Sequence, residues 1–144
     1  MAEITRKELV LALIGGGDRP RLAGLDLEGL DLQRLDLSSA NLSNAILVGA
    51  NLTRTSLCHA NLTNADLTGA TLVGADLSSA NCAEAEMTRA NLSNATLLAT
   101  DLSGANLTKA NLLEANLTGA NLSRANLRKA DLHQILNPHE RRSR

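Results

Sequence analysis

The chain repeats itself every five residues over most of its 144 residues. From Leu27 to Leu132, almost every fifth residue is Leu. A second apolar column lies two residues before each of these positions, as Leu in the first three repeats and as Ala afterwards. Asp or Asn stands between the two columns in most repeats, and Ser or Thr often follows the Leu. The exceptions within the two apolar columns are Cys82, Met87, Thr55 and Thr100. A short internal repeat of this kind predicts a solenoid.

A period of five matches neither an amphipathic helix nor a long alternating strand. Two apolar residues spaced two apart lie on the same face of a short extended segment, so we expect both columns to point inward. The three remaining residues are enough to turn a corner. The fifth position often holds Gly or Asn, as at Gly29 and Asn44, and these residue types tolerate the positive φ that a type II turn requires. Each pentad therefore predicts one short side and one corner.

The number of sides in one coil can be read from the corner position, because stacked residues in adjacent coils tend to match. A spacing of 20 residues aligns Gly29 with Gly49 and Gly69, whereas spacings of 15 and 25 align far fewer identical residues. The other matches at a spacing of 20 are Arg34 with Arg54, Asn44 with Asn64 and Lys109 with Lys129. Four pentads per coil predict an all-β solenoid, a four-sided β-helix of five to six coils.

The A-[D/N]-L-x-x pattern resembles the pentapeptide-repeat family. It is carried by pentads such as Ala60-Asn61-Leu62-Thr63-Asn64, in register across residues 25–134. The resemblance implies a right-handed quadrilateral β-helix. The chain is similar to the single-solenoid members of the family, which are abundant in cyanobacteria. It also implies two functions: a non-enzymatic scaffold for protein–protein interaction or, as the alternative, a DNA mimic that inhibits or protects DNA gyrase or another topoisomerase.

The sequence divides into three predicted segments. Residues 1–24 hold a capping helix near residues 5–14, opened by a Thr5–Glu8 capping box and followed by a glycine-rich linker. Residues 25–134 form the β-helix, and residues 135–144 form a short basic tail. At the far end, either Ile135 and Leu136 plug the last coil or the chain forms an end-to-end homodimer through it, since open β edges must be covered.

Composition limits the classes of partner and site. The chain has no aromatic residue and a net charge of −1, so no global field favours nucleic acid or an anionic membrane. No secretory signal or membrane-spanning segment is found, which predicts a cytoplasmic protein. Cys58 and Cys82 are predicted to face different ways and to form no disulfide.

No catalytic, cofactor-binding or metal-binding site is predicted. The three histidines are scattered, and the serines and threonines have no adjacent base that would activate a nucleophile. The Asp and Asn side chains face outward singly, so we assign them to hydrogen bonding along the coil and to solubility, not to calcium. The histidines are His59, His133 and His139.

Departures from the repeat give the only candidate binding residues. Apolar side chains stand at positions that should face water, and they predict a surface that binds another protein. The candidates are Ile46, Val48, Leu98 and Leu113, with Val73 in the same column as Leu113.

Overall fold

The computed structural model describes residues 4–15 and 19–136, apart from the side chains of residues 11, 14 and 15. The predicted glycine run at residues 15–17 lies mostly outside this range, and so do His139 and the arginines of the predicted basic tail. The described residues form one helix followed by a run of turns and bridges.

Helix α1 spans Arg6–Gly15. Its first turn is held by the two reciprocal bonds of a capping box: the Glu8 amide donates to Thr5 Oγ1 at 3.2 Å, and the Thr5 amide donates to Glu8 Oε2 at 2.7 Å. The hydrogen bond with Thr5 lowers the pKa of Glu8. Leu9 is fully buried and belongs to the same apolar core as the leucines of the repeats.

The repeats are joined by isolated parallel β-bridges that link residues 20 positions apart, from Arg21↔Asn41 to Asn116↔Leu136. This is the register that the column of corner glycines predicts. One coil is therefore four pentads, and the bridged segments begin before residue 25 and continue past residue 134. We number the four sides by the leucines at their centres in the first coil (residues 21–40): Leu22 for side 1, Leu27 for side 2, Leu32 for side 3 and Leu37 for side 4.

Three of the five amides in an interior pentad hydrogen-bond to neighbouring coils. In the pentad 60–64, the Asn61 amide donates to the Ala40 carbonyl of the preceding coil at 2.9 Å. The Leu62 and Asn64 amides donate to carbonyls of the following coil at 2.7 and 3.1 Å. Each pentad thus sends two donors forward and one donor backward, which gives the solenoid a hydrogen-bond polarity along its axis.

The other two amides are satisfied within the chain turn. The Ala60 amide donates to the Leu57 carbonyl at 3.0 Å, and the Thr63 amide donates to Oδ1 of Asn61 at 3.1 Å. The second bond is an Asx turn, in which a side-chain oxygen accepts the amide two residues later. All five amides therefore have acceptors, as buried or half-buried backbone requires.

The core is a stack of leucines lined by alanines. Interior leucines of the column are fully buried, as are Cys82 and Met87, which replace Leu. Burying one leucine contributes about 1.5–3 kcal/mol, and each interior coil buries one such residue from each side. Thr55 and Thr100, in the alanine column, are also fully buried, and their hydroxyls donate at 2.7 Å to the Leu32 and Leu77 carbonyls.

Every described corner from Gly24 to Gln134 has positive φ. The sequence predicts Gly and Asn there, but the structure places residues such as Arg54 (φ 55), His59 (φ 59) and Ala99 (φ 54) in the same conformation. A non-glycine residue in the left-handed region costs on the order of 1 kcal/mol. In the interior coils the bonds between coils offset this cost, because the corner amide donates to the next coil.

Candidate interaction surfaces

The four predicted partner-binding residues lie on three different sides of the solenoid. Ile46 and Val48 flank Leu47 on side 2, where Ile46 bridges to Asp26 and Asp66. Ile46 is 40% exposed and Val48 is half-buried. These two residues form one small apolar surface, which we call the side 2 patch.

Leu98 and Leu113 do not extend the side 2 patch. Leu98 is 42% exposed on side 4, in the pentad whose Thr96 bridges to Asp76. Leu113 is half-buried on side 3, where Val73 lies two coils earlier in the same column. The structure therefore brings together Ile46 with Val48 and aligns Leu113 with Val73, while Leu98 stands on a side of its own.

The side 2 patch also lacks a local hydrogen bond that its neighbours make. In the adjacent coil, Asp66 Oδ1 accepts the Thr68 amide at 3.0 Å. Ile46 has no side-chain acceptor, and the Val48 amide has no acceptor within the described residues. The same loss occurs where Thr71 precedes Val73 and where Thr96 precedes Leu98. Replacement of Asp or Asn by Ile or Thr at these positions removes a stabilising bond, and the apolar side chain two residues later exposes carbon to water.

The Asp and Asn column has a role that sequence reasoning identified only in general terms. Its side chains form Asx turns along the whole solenoid, and some amides also bond to the coil before them. Asn106 Nδ2 donates to Glu86 Oε2 at 2.9 Å, and Asn121 Nδ2 donates to Asp101 Oδ1 at 3.2 Å. The hydrogen bond from the Ser103 backbone amide is the main cause that lowers the pKa of Asp101. The recurrence of Asp or Asn three residues before the corner was the signal for these turns.

Two surfaces carry basic side chains, of which the sequence analysis groups only Lys109 with Lys129. Corner residues Arg89, Lys109 and Lys129 stack in three consecutive coils of side 2, since the Arg89 amide donates to the Thr108 carbonyl and the Lys109 amide to the Arg128 carbonyl. None of these three cations has an ion-pair partner within the described residues. A shallow groove of about 1250 Å³ lies at the other end of the solenoid, and its basic lining residues are Arg19, Arg21 and His59.

The two ends of the solenoid are finished differently. At the first coil, Arg6 of α1 donates from Nη1 to the Asp31 carbonyl and from Nη2 to the Gln33 carbonyl, the latter at 3.0 Å. At the last coil of the described residues (121–136), Leu132 is 38% and Leu136 45% exposed.

A family assignment follows from this repeat geometry and from a direct sequence match. The family model described as "Pentapeptide repeats" matches residues 36–74, 72–108 and 97–134 with eight copies. The chain belongs to the pentapeptide-repeat family. A search of curated protein sequences finds no match.

Solved structures of pentapeptide-repeat proteins are similar to this chain. One is a pentapeptide-repeat protein from the thylakoid lumen of Arabidopsis thaliana, with 37% identity and a TM-score of 0.54 over 65% of this chain and 68% of that one. Another is Rfr23 from the cyanobacterium Cyanothece 51142, with 27% identity and a TM-score of 0.45 over 90% and 97%. A third, QnrB1, a plasmid-mediated fluoroquinolone resistance protein, has 20% identity and a TM-score of 0.31 over 87% and 81%.

Reactive groups on this pentapeptide-repeat chain are few. Burial raises the pKa of the Cys82 thiol to about 12 and also raises the pKa of Cys58, which is half-buried on side 4. His133 contacts the Asp131 carboxylate, and the described residues hold no group of His, Cys, Asp and Glu suited to a metal ion. Within residues 4–15 and 19–136, no helix has the length and apolar character that crossing a bilayer requires.

Proposed function

We propose that this pentapeptide-repeat protein is a non-enzymatic scaffold that binds another protein through the side 2 patch, Ile46 and Val48. The observation that carries the proposal is that Ile46 replaces an Asx-turn acceptor by an exposed apolar side chain. This change weakens the local backbone bonding and adds nothing to the core, because Ile46 points outward. A contact outside the chain is the natural benefit that offsets the loss.

The scaffold uses a right-handed solenoid of five to six coils with α1 as its N-terminal cap. The bridges from Arg21 to Leu136 support the number of coils. Burial of Leu9 in the common core and the bonds of Arg6 to the first coil support the cap. The right hand of the solenoid and the cytoplasmic location remain predictions from the resemblance and the sequence.

The test is capture of partners from a lysate of the source organism, with identification by mass spectrometry. The double variant Ile46→Asn with Val48→Thr restores the repeat pattern, so it should fold at least as stably as the parent. We expect a partner that the parent retains and this variant loses. Leu98→Ser is the matched control on side 4, and it should retain the partner.

Three other results would change this conclusion. If neither the parent nor the Leu98→Ser control captures a specific protein, the scaffold proposal fails. If both variants capture the same partner as the parent, the side 2 patch is not the binding surface. If topoisomerase subunits are captured and the protein inhibits supercoiling, the DNA-mimic alternative replaces the scaffold, although the basic column Arg89–Lys109–Lys129 argues against a DNA-like surface.

A further inference from the structure

The last coil exposes a donor-rich backbone edge. In earlier coils, the amides of the leucine and of the corner residue donate forward, and the alanine carbonyl accepts in return. In the last coil, the amides of Leu122, Arg124, Leu127 and Lys129 have no acceptor within the described residues. At this edge, two amide donors for each carbonyl acceptor therefore point along the axis, away from the rest of the solenoid. A segment that binds there must supply an excess of acceptor oxygens.

The opposite edge, at the first coil, shows how this protein satisfies backbone groups that have no neighbouring coil. The first coil presents two carbonyls for each amide, and Arg6 donates to both backward-facing carbonyls of one pentad, those of Asp31 and Gln33. The guanidinium thus replaces the leucine and corner amides that a preceding coil would supply. An acceptor-rich edge is closed by a cation with several donors, and the complement for a donor-rich edge is an anion with several acceptors.

The side chains around the donor-rich edge have matching chemistry. Leu122 and Leu127 are half-buried and Leu132 is 38% exposed, whereas leucines of this column in interior coils are fully buried. The last coil carries three cations against one carboxylate, that of Asp131, which already contacts His133. The cations are Arg124, Arg128 and Lys129, and none has an ion-pair partner within the described residues.

We propose that this C-terminal edge, residues 121–136, binds an extended segment of a partner protein in which apolar and acidic residues alternate. The segment adds to the open edge as a β-strand does. Its apolar side chains cover the exposed leucines, and its carbonyl and carboxylate oxygens accept from the free amides and from Arg124 and Lys129. The proposal rests on the scaffold function and gives the chemistry of the partner.

Charge and donor polarity favour this occupant over a second copy of the chain. An end-to-end dimer would bring two identical edges together, and each edge carries an excess of donors and of positive charge. Like charges that meet across paired strands are destabilising, and surplus donors would face donors. An acidic segment supplies both the acceptor oxygens and the negative charge that this edge lacks.

The test uses the full chain and two synthetic peptides as probes, one of alternating valine and aspartate and one of alternating valine and lysine. The parent should bind the aspartate peptide at least about tenfold more tightly than the lysine peptide. The double variant Arg124→Glu with Lys129→Glu should weaken that binding by about tenfold or more. The matched control, Arg34→Glu with Arg54→Glu, changes two corner cations of similar positive φ far from the edge and should keep the affinity within about twofold.

Amide hydrogen exchange locates the bound peptide. We expect slower exchange at the amides of Leu122, Arg124, Leu127 and Lys129, which have no acceptor within the described residues, when the aspartate peptide is added, and no change at the first coil. Equal binding of the two peptides, equal weakening in both double variants, or protection elsewhere would overturn the proposal. Protection of the Leu122, Arg124, Leu127 and Lys129 amides without peptide would overturn it too: in a dimer a second copy occupies the edge, and in a monomer the chain itself covers it.

The outcomes for the edge and for the scaffold can be told apart. If the lysate partner depends on Ile46 and Val48 but the aspartate peptide does not bind, the scaffold function stands and the edge proposal fails. If the peptide binds at the edge while no protein is captured through the side 2 patch, the edge stands and the patch fails.

Discussion

Arg6 and Gln33 join the helix to the first coil, since Arg6 Nη2 donates to the Gln33 carbonyl at 3.0 Å. We expect Arg6→Ala to lower the free energy of unfolding by about 1 kcal/mol, because two carbonyls of the first coil lose a charged donor, although water can partly replace it. Lys7→Ala, at an exposed neighbouring position, should change it by less than about 0.5 kcal/mol. Urea denaturation measures both, and equal effects would contradict the role given to Arg6.

The Asx turns make a paired prediction at Asn61. Its Oδ1 accepts both the Thr63 amide at 3.1 Å and the Thr63 hydroxyl at 2.6 Å. Asn61→Ala should destabilise the protein by about 1 kcal/mol. Asn61→Asp keeps the acceptor and should be close to neutral. The comparison of the two denaturation midpoints checks the role of the oxygen, and a large loss with Asp would argue against it.

Buried hydroxyls in the alanine column give a third prediction. Thr100 Oγ1 donates to the Leu77 carbonyl at 2.7 Å in the core. Thr100→Val keeps the shape but removes the donor, so the free energy of unfolding should fall by about 0.5–1.5 kcal/mol. Thr68→Val on the half-exposed outer column serves as the control and should have little effect. A stabilised Thr100→Val variant would show that the hydroxyl contributes nothing to the core.

Stability should fall in acid. The backbone amide of Ser103 and then its hydroxyl lower the pKa of Asp101, and hydrogen bonds from Ser38 lower the pKa of Asp36. Because the folded-state pKa lies below the unfolded value of about 3.9, this contribution is present above that value and is lost as the pH falls through the folded pKa.

Asp101→Asn tests the acid dependence at one site, since the amide oxygen can still accept from Ser103. The variant should lose less stability than the parent between neutral pH and acid below the unfolded pKa. Denaturation at the two pH values measures the difference. An unchanged pH dependence would mean that Asp101 is not one of the groups responsible.

Cysteine reactivity should follow burial. With a pKa of about 12 and no exposed surface, Cys82 should resist a thiol reagent at mildly alkaline pH as long as the protein is folded. Cys58, half-buried, should react first and slowly. Both should react at once in denaturant, and rapid modification of Cys82 in the native protein would show that this part of the core opens readily.

The sequence predicts the register well because the register depends on residue identity alone. Gly29, Gly49 and Gly69 align at the spacing that the bridges adopt, and the leucine column marks the interior. The donor polarity of the edges could not be predicted, because it depends on the direction of each amide. The positive φ of corner residues such as Ala99 could not be predicted either, because neighbouring coils impose it against the local preference of the residue.

The candidate surfaces were predicted residue by residue but not as an arrangement. Counting in twenties places Ile46 beside Val48 and Leu113 in the column of Val73, as the structure does. It does not reveal that Ile46 leaves the Val48 amide without an acceptor in the part of the chain that the structure describes. Nor does it reveal that Arg89 and Lys109 lack ion-pair partners among the described residues, because that depends on where these long side chains lie at a corner.

The twenty-residue coil has a consequence for how such a surface can change. Inserting one pentad at a corner would leave the leucine and alanine columns continuous, but it would turn every later outward residue by a quarter of a revolution relative to the earlier coils. If the pentad were inserted between Val48 and Arg89, the column of Arg89, Lys109 and Lys129 would lie on a different side from the side 2 patch, although none of these residues had changed. Insertions and deletions of five residues therefore change which outer surfaces lie on the same side and leave the core unchanged. Insertions and deletions of twenty residues change only the length of the solenoid.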